Sequence, residues 1–132
     1  MDEARRADVD LWLKKARDDL AVARLVERSR GPSAVGCFLC QQAAEKLLKA
    51  VLVARGVDPP RVHDLELLAR MAGDAGSALE VQPDALLALR AYAVAPRYPG
   101  FPDVQADRDL SRIVELAASV EAAVVAALAR LP

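Results

Sequence analysis

The most informative part of this 132-residue chain runs from Ser33 to Arg55, SAVGCFLCQQAAEKLLKAVLVAR. Its apolar residues recur with the period of an α-helix, and charged or amide side chains interrupt them on one side. Gly31-Pro32 precedes the stretch and Gly56 follows it, as expected at the two ends of a helix. We predict a helix over residues 33–55, with Ser33 as its N-cap and Gly56 as its C-cap.

The same periodicity predicts four more helices around this one. They cover residues 3–29, 63 or 64 to 73, 83 to a stop at Pro96, and about 106–131. A loop or short turn is predicted over residues 74–82, and a stiff, proline-rich loop over residues 96–102. Long helices with short connections are typical of bundles. We therefore predict an all-α, antiparallel up-and-down bundle of about five helices, forming a single domain over residues 1–132.

The composition excludes several classes of protein. Hydrophobic residues make up 54% of the chain and charged residues 28%, which is typical of a globular domain. A net charge of -1 gives no strong field for nucleic acid or an anionic membrane. The most apolar stretch, residues 116–131, is interrupted by Glu121 and Arg130 and is too short to cross a bilayer. The charged N-terminus does not resemble a signal peptide, so we expect a cytoplasmic protein.

Cys37 and Cys40 form a CxxC motif, but no predicted strand precedes it as in thioredoxin-like proteins. By helical phase both thiols lie with Ala44 and Leu47 on the apolar face, so we predict that they pack in the core. Two cysteines and the single histidine of the chain make a poor zinc site. No metal and no cofactor are expected.

The other face of the same helix carries a polar stripe of Gln42, Glu45, Lys46 and Lys49. Helical geometry brings these positions to one side of the helix. Two lysines with an amide and an acid are suited to hold a phosphate or the carboxylate of a partner. The alternative is an ordinary solvated face with a Glu45–Lys49 ion pair, and spacing alone favours that alternative.

Two further positions leave alternatives open. His63, the only histidine, lies where the third helix begins and is suited to proton transfer or to a capping and packing role. Arg97 and Tyr98 lie between Pro96 and Pro99. A rigid loop with a planar cation beside an aromatic ring is suited to grip a phosphate and stack on a base. The same loop is equally suited to join two helices stiffly.

Three sequence elements together resemble the HEPN family. The run from Cys40 to Ala50, CQQAAEKLLKA, resembles the QAAEKxxKA signature of that family. Residues 62–65, VHDL, resemble its THDL element, with Val62 in place of threonine, and residues 97–99 resemble its RYP element. The first helix, with Trp12 and the run ARDDL at 16–20, also fits the family. The three elements occur in the family's order, and the resemblance covers nearly the whole chain.

The resemblance implies a helical bundle that commonly forms homodimers and is often encoded beside a minimal nucleotidyltransferase. In that setting the HEPN subunit is thought to bind nucleotide or substrate, and the pair can form a toxin–antitoxin module. The positions carried over as a nucleotide or anion site are Lys46, Lys49, His63, Arg97 and Tyr98, with Gln42 and Glu45 as supporting polar residues.

One departure from the wider superfamily bears on catalysis. Its ribonuclease members carry an arginine followed, four to six residues later, by a histidine, and no histidine follows Arg97 in this chain. Cleavage of RNA without metal requires groups that handle both the attacking hydroxyl and the leaving oxygen. A non-catalytic binding subunit is therefore favoured over an enzyme. The alternatives are a metal-independent ribonuclease toxin, or a regulatory protein whose polar stripe docks a partner helix.

Overall fold

A computed structural model describes residues 1–93, 99 and 103–132. These residues form five α-helices: α1 (Glu3–Ser29), α2 (Ser33–Ala54), α3 (Leu65–Asp74), α4 (Pro83–Arg90) and α5 (Asp103–Ala129). The described part of the chain contains no β-strand. The predicted all-helical bundle of about five helices is confirmed, and α1 has the predicted bounds.

The long helices α1, α2 and α5 pack side by side, with α2 in contact with every other helix. α1 and α2 are antiparallel, since Asp19 contacts Lys46 near the middle of α2 and Trp12 lies against Lys49 one turn later. α5 runs in the same direction as α2, because Cys37 meets Ala106 at the start of both helices. The segment that contains the short helices α3 and α4 returns the chain from the end of α2 to the start of α5.

The central position of α2 explains the apolar character of its sequence. Residues on nearly all of its sides are buried, because α1, α5 and α3 each cover a different face. Gly36 lies where α2 packs against α5: a Cβ atom there would lie 2.9 Å from Leu110 Cδ1. The largest fully buried side chains of the core are Tyr92, Leu20, Leu47, Leu48, Leu52, Leu65, Leu68, Leu89, Ile113, Gln41, Val51 and Val120.

Two predicted caps of α2 are wrong. Pro32 is the N-cap residue and makes no side-chain cap, so Ser33 is the first residue of the helix. Arg55, not Gly56, is the C-cap, and its backbone N–H still reaches the carbonyl of Val51. Gly56 follows with φ 75°, a left-handed conformation that glycine adopts without strain.

The other boundaries also shift. α3 begins at Leu65, because Asp64 is the N-cap and its side chain accepts a hydrogen bond from the Leu67 N–H. α4 ends at Arg90 rather than near Pro96, since Tyr92 turns into the core and its hydroxyl donates to Asp109 of α5 at 2.9 Å. Of the predicted stiff loop over residues 96–102, only Pro99 is among the described residues. Within the described residues, no helix is long and apolar enough to cross a membrane.

Candidate functional site

The polar stripe of α2 is largely buried, and the interpretation as a solvated face is wrong for two of its members. Glu45 is 5% exposed and Lys49 is 7% exposed. The predicted ion pair between them is confirmed, with Lys49 Nζ 3.0 Å from Glu45 Oε2. Burying two charges requires that they be paired and hydrogen-bonded. This face is covered by α1 and by the segment before α3. The sequence pattern of α2 alone does not show that these elements cover it.

His63 completes a cluster with this pair. Its Nδ1 atom lies 2.6 Å from Oε1 of Glu45, so the carboxylate binds Lys49 with one oxygen and His63 with the other. An ionised carboxylate can only accept hydrogen bonds, so Nδ1 of His63 carries the donated proton. The side chain of His63 is 60% exposed. The imidazole is therefore held from inside by Nδ1, with Nε2 available on the solvent side.

Gln41, which was not among the predicted site residues, holds the backbone of His63. Its Nε2 donates to the His63 carbonyl at 3.3 Å, and its Oε1 accepts from Gln42 Nε2 at 2.8 Å. Gln41 is fully buried and lies one helical turn before Glu45. The signal that would have found it is helical phase, since positions 41, 45 and 49 repeat every four residues and form the buried edge of the stripe.

The two lysines of the stripe have different surroundings. Lys49 lies beside the indole of Trp12, with Nζ 5.9 Å from the ring centroid, within the range of a cation–π interaction. Lys46 forms an ion pair with Asp19 of α1 and is half-buried, its side chain 24% exposed. Both lysines therefore already have a carboxylate partner. Trp12 and Asp19 were missed as site residues because only the packing of α1 on α2 brings them there.

Both cysteines pack in the core, as predicted. Cys37 and Cys40 are fully buried and free. Burial raises the pKa of the Cys37 thiol to about 12, and the carboxylate of Asp109 acts in the same direction. Burial likewise raises the pKa of Cys40 to about 12. Protonated thiols are poor nucleophiles and poor metal ligands, so this motif is structural. The described residues contain no group of three or more His, Cys, Asp or Glu side chains placed to hold a metal ion.

The predicted site residues therefore fall into three groups. Contacts join Glu45, Lys49 and His63 directly, and Gln42 reaches them through Gln41. Lys46 lies on the same helix but is paired towards α1. Arg97 and Tyr98 lie outside the described residues. We refer to Gln41, Glu45, Lys49 and His63 as the histidine cluster.

The histidine cluster can perform two kinds of chemistry. A neutral imidazole with its proton on Nδ1 presents Nε2 as a hydrogen-bond acceptor or a base. A protonated imidazole presents an N–H donor and a positive charge to an anion. In either state Glu45 fixes the ring, since the partner of one ring nitrogen determines the role of the other.

Comparison with known proteins identifies the family. A family model described as HEPN domain matches residues 9–128, which is most of the chain. The chain belongs to the HEPN domain family. It is also similar to the crystal structure of TT1696 from Thermus thermophilus, with a TM-score of 0.73 and 26% sequence identity, over 90% of this chain and 97% of that one. A search of curated proteins found no match.

Membership of the HEPN family supports a nucleotide-related or ribonuclease-like role in general terms. HEPN domains also often form dimers. The family elements coincide with the histidine cluster: the QQAAEKLLK run of α2 supplies three of its residues, and the VHDL element supplies His63.

Proposed function

We propose that this HEPN chain is a non-catalytic, nucleotide-binding subunit that acts with a separately encoded minimal nucleotidyltransferase, in the manner of a toxin–antitoxin pair. The observation that carries the proposal is the exposed imidazole of His63 held in place by the buried carboxylate of Glu45. A binding site benefits from a group whose orientation is fixed before the ligand arrives, since less conformational freedom is lost on binding.

In this proposal two cationic groups bind the phosphate. A phosphate oxygen accepts a hydrogen bond from Nε2 of protonated His63, and it accepts another from Lys46. Lysine has three N–H donors, and the pair with Asp19 uses one of them. Lys49 is too deeply buried to touch the ligand directly, and it acts by neutralising Glu45. In this proposal Arg97 and Tyr98 contribute further contacts to phosphate and base.

Calorimetry with ATP tests the proposal, with the chain alone and with the nucleotidyltransferase encoded beside it. We expect His63→Gln and Lys46→Met each to weaken binding by about tenfold or more, because hydrogen bonds to charged groups contribute about 1.5–3 kcal/mol. Arg97→Ala is expected to weaken binding as well. Lys14→Met is the matched control, since Lys14 also pairs with an aspartate, Asp18, but on the exposed side of α1.

The results that contradict this proposal are equally definite. Absence of ATP binding both with and without the nucleotidyltransferase would overturn it. An equal loss of affinity in the Lys14→Met control would show a general effect of charge instead of a site. If the two proteins fail to co-purify while ATP still binds, the partner is wrong and the binding role stands.

A ribonuclease role is the second candidate, favoured by the same Glu45–His63 contact. A carboxylate that orients an imidazole is a common arrangement for general base catalysis. The single histidine of the chain argues against it unless a second copy of the chain supplies the acid and an arginine stabilises the charge on the phosphate. Metal-free cleavage of total RNA by the wild type, lost in His63→Ala, would replace the binding proposal with this one.

A further inference from the structure

A depression of about 510 Å³ lies beside the histidine cluster, and nothing proposed so far uses it. It is formed by the first turns of α1 and by the chain that leaves α2. Its lining includes Arg5, Asp8, Trp12, Val53, Asp58 and Pro59. The volume is within the range of small-molecule sites, which are usually clefts of about 300–1,000 Å³.

Trp12 connects this depression to the proposed phosphate site. Its indole lines the depression, and the ring centroid lies 5.9 Å from Lys49 Nζ. Lys49 is bound to Glu45, and Glu45 is bound to His63. Three successive contacts therefore connect the lining of the depression to the exposed ring of His63. Trp12 is the residue that links the depression to the histidine cluster.

The chemistry of the lining selects the part of a nucleotide that fits. The indole offers a flat aromatic surface on which a base can stack. Asp8 and Asp58 are exposed carboxylates that accept hydrogen bonds from hydroxyl or amino groups. Because these two acids outnumber the one arginine, Arg5, the depression is unfavourable for a phosphate. The neutral end of the ligand is favoured here and its phosphate end at His63.

We infer that the depression binds the nucleoside part of the ligand, with the base on Trp12 and the ribose hydroxyls on Asp8 and Asp58. This inference rests on the proposed nucleotide-binding function and assigns a recognition site within it. A ribonucleoside fits better than a nucleoside without ribose hydroxyls, because only the ribose offers two donors to the carboxylates.

The single tryptophan of the chain makes the test direct, because all tryptophan fluorescence comes from Trp12. Adenosine, which has no phosphate, is expected to quench this fluorescence in a saturable way. 2′,3′-Dideoxyadenosine is expected to bind at least about tenfold more weakly. The double variant Asp8→Asn/Asp58→Asn is expected to reduce the preference for adenosine. Glu115→Gln, which removes an exposed acid from α5, is the control and is expected to have no effect.

Calorimetry with ATP, run in parallel, separates this inference from the proposed function. If ATP binds without changing Trp12 fluorescence, and if the Asp8→Asn/Asp58→Asn variant binds ATP as tightly as the wild type, the nucleoside site is wrong. The nucleotide-binding function then still stands. If adenosine binds and His63→Gln does not weaken ATP, the nucleoside site stands and the phosphate site is wrong. If neither ligand binds, both are overturned.

Discussion

Nδ1 of His63 and Oε1 of Glu45 lie 2.6 Å apart, and the two residues come from different segments of the chain, 18 positions apart. Glu45 is in the middle of α2, whereas His63 lies in the connection before α3. The contact orders the connection and also decides which nitrogen of the ring faces solvent. Gln41 fixes the backbone of the same residue, so α2 positions His63 at two points.

The first prediction concerns the tautomer of His63. When the ring is neutral, we expect its proton on Nδ1, because Glu45 can only accept a hydrogen bond. Nitrogen NMR of the imidazole reports this directly, and the chain has no other histidine to confuse the spectrum. In the double variant Glu45→Leu/Lys49→Met we expect a mixture of tautomers. A neutral wild-type ring protonated on Nε2 would contradict the donation from Nδ1 to Glu45.

The second prediction concerns the buried pair of Glu45 and Lys49. Lys49→Met leaves the carboxylate of Glu45 without its lysine, and we expect a loss of about 3–5 kcal/mol in the free energy of unfolding. Glu45→Leu/Lys49→Met removes both charges, so its loss is expected to be smaller than the sum of the two single losses. Urea unfolding of the four proteins measures this coupling.

Lys14→Met provides the control for the second prediction. The Lys14–Asp18 pair is exposed to solvent, so its removal is expected to leave the free energy of unfolding nearly unchanged. Purely additive losses for Glu45 and Lys49 would contradict the second prediction, since they would mean that the two side chains do not interact.

The third prediction compares two glycines three residues apart. Gly76 has φ 101°, and a Cβ atom there would overlap Nη2 of Arg55, whose guanidinium also donates to the Ala75 carbonyl. We expect Gly76→Ala to cost about 1–3 kcal/mol of stability. Gly73 lies within α3 with no atom near its missing Cβ, so Gly73→Ala is expected to stabilise by up to about 1 kcal/mol. Thermal unfolding distinguishes these opposite signs, and equal effects would contradict the proposed strain.

The fourth prediction concerns alkaline pH. The pKa values of Cys37 and Cys40 rise from 9.0 to about 12 in the folded protein. The folded state therefore keeps both protons above pH 9, where the unfolded chain begins to lose them. By linkage, the stability from these thiols is fully present below about pH 9 and is lost as the pH rises towards 12.

Urea unfolding between pH 7 and 10, under reducing conditions, tests this dependence. Wild type is expected to lose stability above about pH 9, and Cys37→Ala/Cys40→Ala is expected to lose less. Native thiols are also expected to react with a thiol reagent only as fast as the protein opens. Rapid labelling of the folded protein would contradict the buried, protonated state.

Much of the fold followed from local patterns in the sequence. The end of α1 was predicted because Gly31-Pro32 breaks the helical pattern just after Ser29. The end of α4 was not predicted, because Tyr92 fits the helical period as well as it fits a turn. The position of Tyr92 is decided by its hydrogen bond to Asp109, 17 residues later, and no local pattern reveals that contact.

The order of the residues was enough to predict that α2 is a helix, that Cys37 and Cys40 lie on its apolar side, and which family the chain resembles. These properties depend on the order of residues along one helix, where spacing fixes the face. The burial of Glu45 and Lys49, and the contacts of Gln41 and Glu45 with His63, depend on how the helices pack. Those contacts form only when α1 and the segment before α3 pack over α2. They could not be predicted, because a helical repeat gives the direction of a side chain but not what lies opposite it.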